Sequence, residues 1–112
     1  MNFTDVNQSK ELFKLGFPQD KAEYAWFEGA LVPTINVRDN NVDRYGYNED
    51  LERFIAACPT IGELISFVGA RFGHLSFDSN GWEASAQGHV GLGLTPIDAV
   101  YELVRSILSK DI

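Results

Sequence analysis

A single cysteine, Cys58, is all the thiol in this chain. Neither an internal disulfide nor a cysteine zinc cluster can therefore hold it together. No apolar run approaches the roughly twenty residues that a membrane-spanning helix needs, and Met1-Asn2-Phe3-Thr4-Asp5 has neither the basic stretch nor the apolar core of a secretory leader. A soluble, cytoplasmic protein without membrane association is expected. Cations are scarce as well: 9 Lys and Arg stand against 16 Asp and Glu, for a net charge of −7. That balance disfavours direct nucleic-acid binding, which gains affinity when Lys and Arg release counterions from phosphates. It favours solubility, or a basic partner. Apolar material is in good supply, with a 45% hydrophobic share that includes 8 Phe, 4 Tyr and 2 Trp. At 112 residues the chain has enough of it for one core and no room for two, so a single domain over residues 1–112 is expected.

The clearest local pattern runs from Thr95 to Lys110. Thr95 suits an N-cap, Pro96 the first helical position, and Asp98 the positive end of the helix dipole. Ile97, Val100, Tyr101, Val104, Ile107 and Leu108 follow at three- and four-residue spacing and lay one apolar stripe along the helix.

Earlier in the chain, Thr4 or Asn7 can cap a first helix through Leu12, Phe13 and Leu15 that stops at Gly16, with Pro18 barring its continuation. Gln19 to Glu23 reads as one helical turn or an irregular connector. Tyr24-Ala25-Trp26-Phe27 and Leu31 to Arg38 read as strands joined by Glu28-Gly29-Ala30, and Pro33 argues for an edge position because it cannot donate to a ladder. After a polar loop from Asp39 to Asp50, the helical spacing of Leu51, Phe54, Ile55 and Cys58 predicts a helical segment ended by Pro59. Thr60 with Glu63 then forms a capping box for a helix carrying Ile61, Leu64, Ile65 and Val68. His74 to Asp78 and Trp82 to Gln87 alternate as a hairpin about Asn80-Gly81, and glycine-rich Gly88 to Leu94 leads into the last helix. The predicted fold is α+β: an antiparallel sheet of about four strands (two hairpins) with helices packed on it, in the order α-ββ-α(α)-ββ-α.

Several of these pieces together resemble a known group. Thr4-Asp5-Val6-Asn7-Gln8-Ser9-Lys10-Glu11-Leu12 with Leu15-Gly16-Phe17 is similar to the opening of small uncharacterised proteins of phages, prophages and mobile elements of gut bacteria. Cys58-Pro59-Thr60-Ile61 before Leu64-Ile65 resembles their middle helix. Gly81-Trp82 and Pro96-Ile97-Asp98-Ala99-Val100 resemble their late strand and closing helix. The resemblance implies a small α+β protein of mobile-element origin and carries no catalytic residues with it.

Candidate chemistry is sparse. From Asp39 to Asp50, oxygen-bearing Asp39, Asn41, Asp43 and Asp50 occupy the first, third, fifth and twelfth positions of an EF-hand-like calcium loop. Arg44, however, stands where that loop needs its sixth-position Gly, Asp50 is shorter than the bidentate Glu, and a strand precedes the segment in place of a helix. Asp and Asn also gather in ordinary turns, so no metal site is expected. Gly88-His89-Val90-Gly91-Leu92-Gly93-Leu94-Thr95 opens a helix, where free N–H groups attract anions. It has no third Gly of a dinucleotide fingerprint and no P-loop Lys, and is expected to be a flexible connection. His74 and His89 have no placed carboxylate, Ser or Cys partner in the sequence, and Cys58 reads as a buried structural thiol.

Tyr45-Gly46-Tyr47 lies among acids, a composition suited to protein contact. Basic residues do not interleave with the aromatics Tyr24, Trp26, Phe27, Tyr45, Tyr47, Phe77 and Trp82, which argues against stacking on single-stranded nucleic acid. The expected function is that of a small non-enzymatic accessory or interaction protein of phage or mobile-element type, with no cofactor. Asp43, Tyr45, Tyr47, Glu49 and Asp50 would meet a protein partner, a second copy of the chain included. Two alternatives stay open: an acidic inhibitor filling a nucleic-acid-binding groove of a host protein, and a small phosphate-handling enzyme using the loop before Thr95.

Overall fold

Each of the first two helices starts where a side chain and the backbone three residues on exchange hydrogen bonds. The computed structural model describes residues 2–19, 22–27, 30–33 and 54–110. They fall in two compact units, Asp5–Pro59 and the pairing of Met1–Thr4 with Thr60–Ile112. The fold is α+β, with three α-helices and two three-stranded antiparallel sheets among the described residues. None of these helices is long and apolar enough to cross a membrane.

In the unit Asp5–Pro59, α1 spans Val6–Lys14. Its N-cap is Asp5, not Thr4 or Asn7. The Gln8 N–H donates to Asp5 Oδ1 at 2.7 Å and the Asp5 N–H donates to Gln8 Oε1 at 3.0 Å. Asp5 prevails because only it has a Gln or Glu three residues ahead to close the box, whereas Thr4 is buried and Asn7 lies inside the helix. Gly16 adopts φ 93 past the C-terminus, letting its N–H reach Phe13 O at 3.1 Å and the Phe17 N–H reach Leu12 O at 2.9 Å. Leu12 and Phe17 are both buried, which completes a Schellman ending.

Strands β1 (Tyr24–Phe27) and β2 (Ala30–Pro33) pair antiparallel with Trp26 opposite Leu31, and β3 (Phe54–Ala57) lies on the other side of β1. The order β2-β1-β3 puts Pro33 on an edge strand, as its missing donor requires. The expected second strand, Leu31 to Arg38, is thus Ala30–Pro33 as far as it is described. The helix expected through Leu51, Phe54, Ile55 and Cys58 is corrected: Phe54–Ala57 form β3, and Cys58 follows it in extended pairing with β1. Ala56, Ala57 and Cys58 make a short continuous buried run, which periodicity cannot distinguish from a helix segment. Pairing settles it. The Cys58 N–H donates to Tyr24 O at 2.8 Å, and the Gln19 side chain accepts from the Ala57 N–H at 2.7 Å.

In the other unit, Phe3 bridges Thr60 and the Ile61 N–H donates to Asn2 O. Helix α2 (Ile61–Val68) has the expected box: Thr60 Oγ1 accepts from the Glu63 N–H at 3.2 Å, and Glu63 Oε1 accepts from the Thr60 N–H at 2.8 Å. A 3-10 turn at Gly69–Arg71 leads to β4 (Phe72–Asp78), β5 (Gly81–Ala86) and β6 (His89–Gly93), a meander of order β4-β5-β6. The β4–β5 turn is centred on Ser79-Asn80 instead of Asn80-Gly81, because Asp78 Oδ1 accepts from the Asn80 N–H and Asp78 faces Gly81. Helix α3 (Pro96–Lys110) closes the unit, with Thr95 Oγ1 accepting from the Asp98 N–H at 3.2 Å.

The expected four-stranded sheet is therefore also corrected. The two hairpins do not join; each gains a third strand, β3 in one case and β6 in the other, giving the order α-βββ-α-βββ-α. Strand β6 was hidden by its glycines, whose purpose is steric. Helix α3 packs across β6 and β5. A Cβ on Gly91 would run into Ala99 O and Leu103 N, and one on Gly93 would come within 2.6 Å of the Ala99 nitrogen. The helix backbone thus lies directly on the strand. Ile97, Val100, Val104, Ile107 and Leu108 are buried as their spacing predicted, Tyr101 is half-buried, and the close approach of the strand also brings Ala99 and Leu103 into the core.

Three stability outcomes follow from this packing. Gly91→Ala should cost about 1–3 kcal/mol by overpacking. Gly62→Ala, in an exposed turn of α2 with only Thr60 Oγ1 near the new methyl at 3.9 Å, should stabilise by roughly 0.5 kcal/mol. Val104→Asp should abolish cooperative folding by burying an unpaired carboxylate. Chemical denaturation ranks all three, and a neutral Gly91→Ala would contradict the close approach.

Candidate functional site

Strand alternation sorts the β4-β5-β6 sheet into two unlike faces. The cross-strand rows Leu75–Ala84–Gly91 and Phe77–Trp82–Gly93 share the face on which α3 lies. There Ala84 and Ala86 are buried, and half-buried His89 bonds across to the helix, Nδ1 to Ser106 Oγ at 3.0 Å. The rows His74–Ser85–Val90 and Ser76–Glu83–Leu92 form the opposite face.

On that opposite face, His74 Nδ1 lies 2.9 Å from Ser85 Oγ, and His74 Nε2 lies 3.4 Å from Glu83 Oε2. Gly73 makes room for this contact, since a Cβ there would come within 2.9 Å of Ser85 Oγ. No partner for His74 is legible from residue order alone; the strand register supplies two. Ser, His and Glu are connected in the order of a hydrolytic triad, but the ring nitrogens are exchanged relative to it, with Nδ1 towards the serine. His74 and Glu83 are largely open to solvent. The arrangement is a polar cross-strand network of the kind that steadies a sheet surface.

Beside this network stand apolar side chains without cover: Val90 is 54% exposed, Leu92 64% and, just past β6, Leu94 84%; on the α3 face, Phe77 is 66% exposed. Phe77 packs on Trp82, with ring centroids 5.2 Å apart and planes tilted by 56°. A groove of about 420 Å³ opens among Asp78, Trp82, Glu83, Leu92 and Leu94. It reaches Glu83 but is not lined by Ser85 or His74. Its charge is one-sided. From Phe72 to Val104 the sequence contains Asp78, Glu83, Asp98 and Glu102 and not one Lys or Arg. Arg105, the next cation, bonds Glu102 at 3.0 Å. Among the described residues, no three His, Cys, Asp or Glu side chains converge to hold a metal ion.

The partner-contact residues expected from sequence, Asp43, Tyr45, Tyr47, Glu49 and Asp50, lie outside the described residues, as does the whole candidate calcium loop from Asp39 to Asp50. The glycine-rich run is corrected from a flexible loop to strand β6. Gly91 and Gly93 turn their missing side chains towards α3, where the helix backbone fills the space that a Cβ would need. His89 is accordingly a strand residue, and Cys58 is buried as expected.

The exposed row Val90, Leu92 and Leu94 escaped sequence reasoning, although two signals pointed to it. One is the period-two pattern of His89 to Leu94, with glycine on one side and aliphatics on the other. The second is the absence of cations from Phe72 to Val104. No protein-family model, curated protein or solved structure matches the chain.

Because the row is uncovered, Leu92→Ser and Leu94→Ser should change unfolding free energy by no more than about 0.5 kcal/mol each. A large loss in thermal or chemical denaturation would mean that these side chains serve the fold.

Proposed function

We propose that this chain is a small, non-enzymatic, cytoplasmic interaction protein of phage or mobile-element type that binds a basic protein partner through the outward side of the β4-β5-β6 sheet. The observation that carries the reading is the conjunction on one surface of uncovered Val90, Leu92 and Leu94 with Asp78 and Glu83, in a stretch devoid of Lys and Arg. Uncovered apolar side chains rimmed by polar groups mark contact surfaces. A field of one sign selects partners of the other. In sequence, Asp43, Glu49 and Asp50 with Tyr45 and Tyr47 make a second stretch in which acids and aromatics combine. The relay of Ser85, His74 and Glu83 supports a structural part for these residues, since the groove opens away from the serine. Cationic protein surfaces commonly serve nucleic acid, so an acidic inhibitor of such a surface is the nearest variant of this proposal.

The test is binding to a panel of Lys- and Arg-bearing peptides, followed by tryptophan emission and stopped-flow kinetics. Association should slow as salt rises and in Asp78→Asn/Glu83→Gln, because charge steers encounter. Leu92→Ser and Leu94→Ser should act chiefly by speeding dissociation. Binding that ignores salt and all of these substitutions would remove this face from the interface.

A further inference from the structure

The meander ends on two strands, β4 and β6, each with a strand neighbour on one side only among the described residues. Natural sheets usually protect such edges with charges, proline, bulges or very short strands. β4 follows that practice: its register with β5 shifts between Phe72 and His74, a bulge at Gly73 that bends the edge away from further pairing. β6 does not. It pairs with β5 without a shift from His89 opposite Ala86 to Gly93 opposite Trp82, and it contains no proline and no Asp, Glu, Lys or Arg. Val90 and Leu92 stand exposed along it, and the groove at its end leads to Asp78 and Glu83.

We propose that β6 accepts a fourth strand from a partner protein, an extended segment in which Lys or Arg alternates with aliphatic residues. This rests on the basic-partner reading above and adds the mode of binding. Main-chain pairing would supply affinity, and alternate side chains would supply selectivity. The added strand would lie about 4.8 Å beyond β6, so its outward side chains must cross β6 to reach Glu83 on β5. Only long side chains span that distance. Lys and Arg can lay their methylene stems over Val90 and Leu92 while their cationic heads reach Glu83, and Asp78, one strand further on in β4, adds to the field that draws them in. The alternate side chains face the side where Ala84, Val100 and Leu103 form the core, which suits aliphatic residues. A second copy of this chain is the poorer occupant, because its own β6 brings no cation to these carboxylates and both copies carry a net charge of −7.

The experiment uses the full chain and a fluorescently labelled, end-blocked peptide of alternating Arg and Val, read by anisotropy. Three relatives of the peptide are compared with it: two that are N-methylated at either the Arg or the Val amides, and one with Glu in place of Arg. Alternate amides of a strand point to opposite edges, so one methylated set should weaken binding by about tenfold or more while the other leaves it unchanged. Leu92→Lys, at an exposed position and with its fold checked by thermal melting, should also lose about tenfold or more by setting a cation against the arriving strand.

Binding of the parent peptide that tolerates both methylated sets but falls in Asp78→Asn/Glu83→Gln would overturn strand addition and leave the basic-partner reading standing. No binding of the Arg peptide, or equal binding of the Glu peptide, would overturn both. Dimers on size exclusion that disappear in Leu92→Lys would overturn the proposal in favour of self-pairing at the same edge.

Discussion

The unit that contains the sheet β4-β5-β6 depends on the approach of α3 to β6 at Gly91 and Gly93, with no strand side chain between them there. Gly91 and Gly93 lie where any Cβ would collide with the backbone of Ala99 or its neighbours. This closeness draws Ala99 and Leu103 into the core along with the expected stripe. It also fixes which way β6 faces. With His89, Gly91 and Gly93 on the helix side, Val90 and Leu92 point outward by alternation alone. One steric requirement therefore produces both a tightly closed core and an uncovered aliphatic row.

The same geometry explains why a glycine-rich segment ahead of a helix need not be an anion cradle. Phosphate-binding turns use glycine to bring free N–H groups to a ligand. Here glycine brings one backbone to another, and the first turn of α3 is served by the Thr95 hydroxyl. The difference is visible in spacing. Gly91 and Gly93 are two apart, a strand interval that places both on one face, whereas a turn needs its glycines where the chain reverses.

Legibility in the sequence followed the range of the forces involved. The α2 box of Thr60 and Glu63, the Thr95 cap and the apolar faces of α2 and α3 are local, and all were readable from spacing. The Asp5 cap was missed by one residue because three capping residue types crowd the segment from Thr4 to Asn7. Only the Asp5–Gln8 pair satisfies both bonds. β3 and β6 were not legible in the same way. Four residues of mixed small and large apolar character at Phe54–Ala57, and five residues with two glycines at His89–Gly93, take their identity from a neighbouring strand. The contacts of His74 with Ser85 and Glu83 are similarly a product of register. Of the surface implicated in binding, the shortage of cations was written in the sequence, whereas the exposure of Leu92 and Leu94 depended on where α3 lies.

An uncharged, aliphatic strand edge is a hazard for any soluble protein, because it can template pairing with another copy. The usual remedy places a charge on the edge strand itself, which would bar every partner alike. In this sheet the charges stand off the edge strand, Glu83 one strand away on β5 and Asp78 two away on β4, and no Lys or Arg from Phe72 to Val104 offsets them. Such a field would leave the main-chain edge open while discriminating by the sign of what arrives: an acidic copy of the same chain is repelled, and a basic segment is drawn in and anchored. Specificity of this form is a difference between two affinities, with the repulsive part built in. It also accounts for an otherwise uneconomical arrangement, in which aliphatic side chains stay in water on the face of the sheet that α3 does not cover.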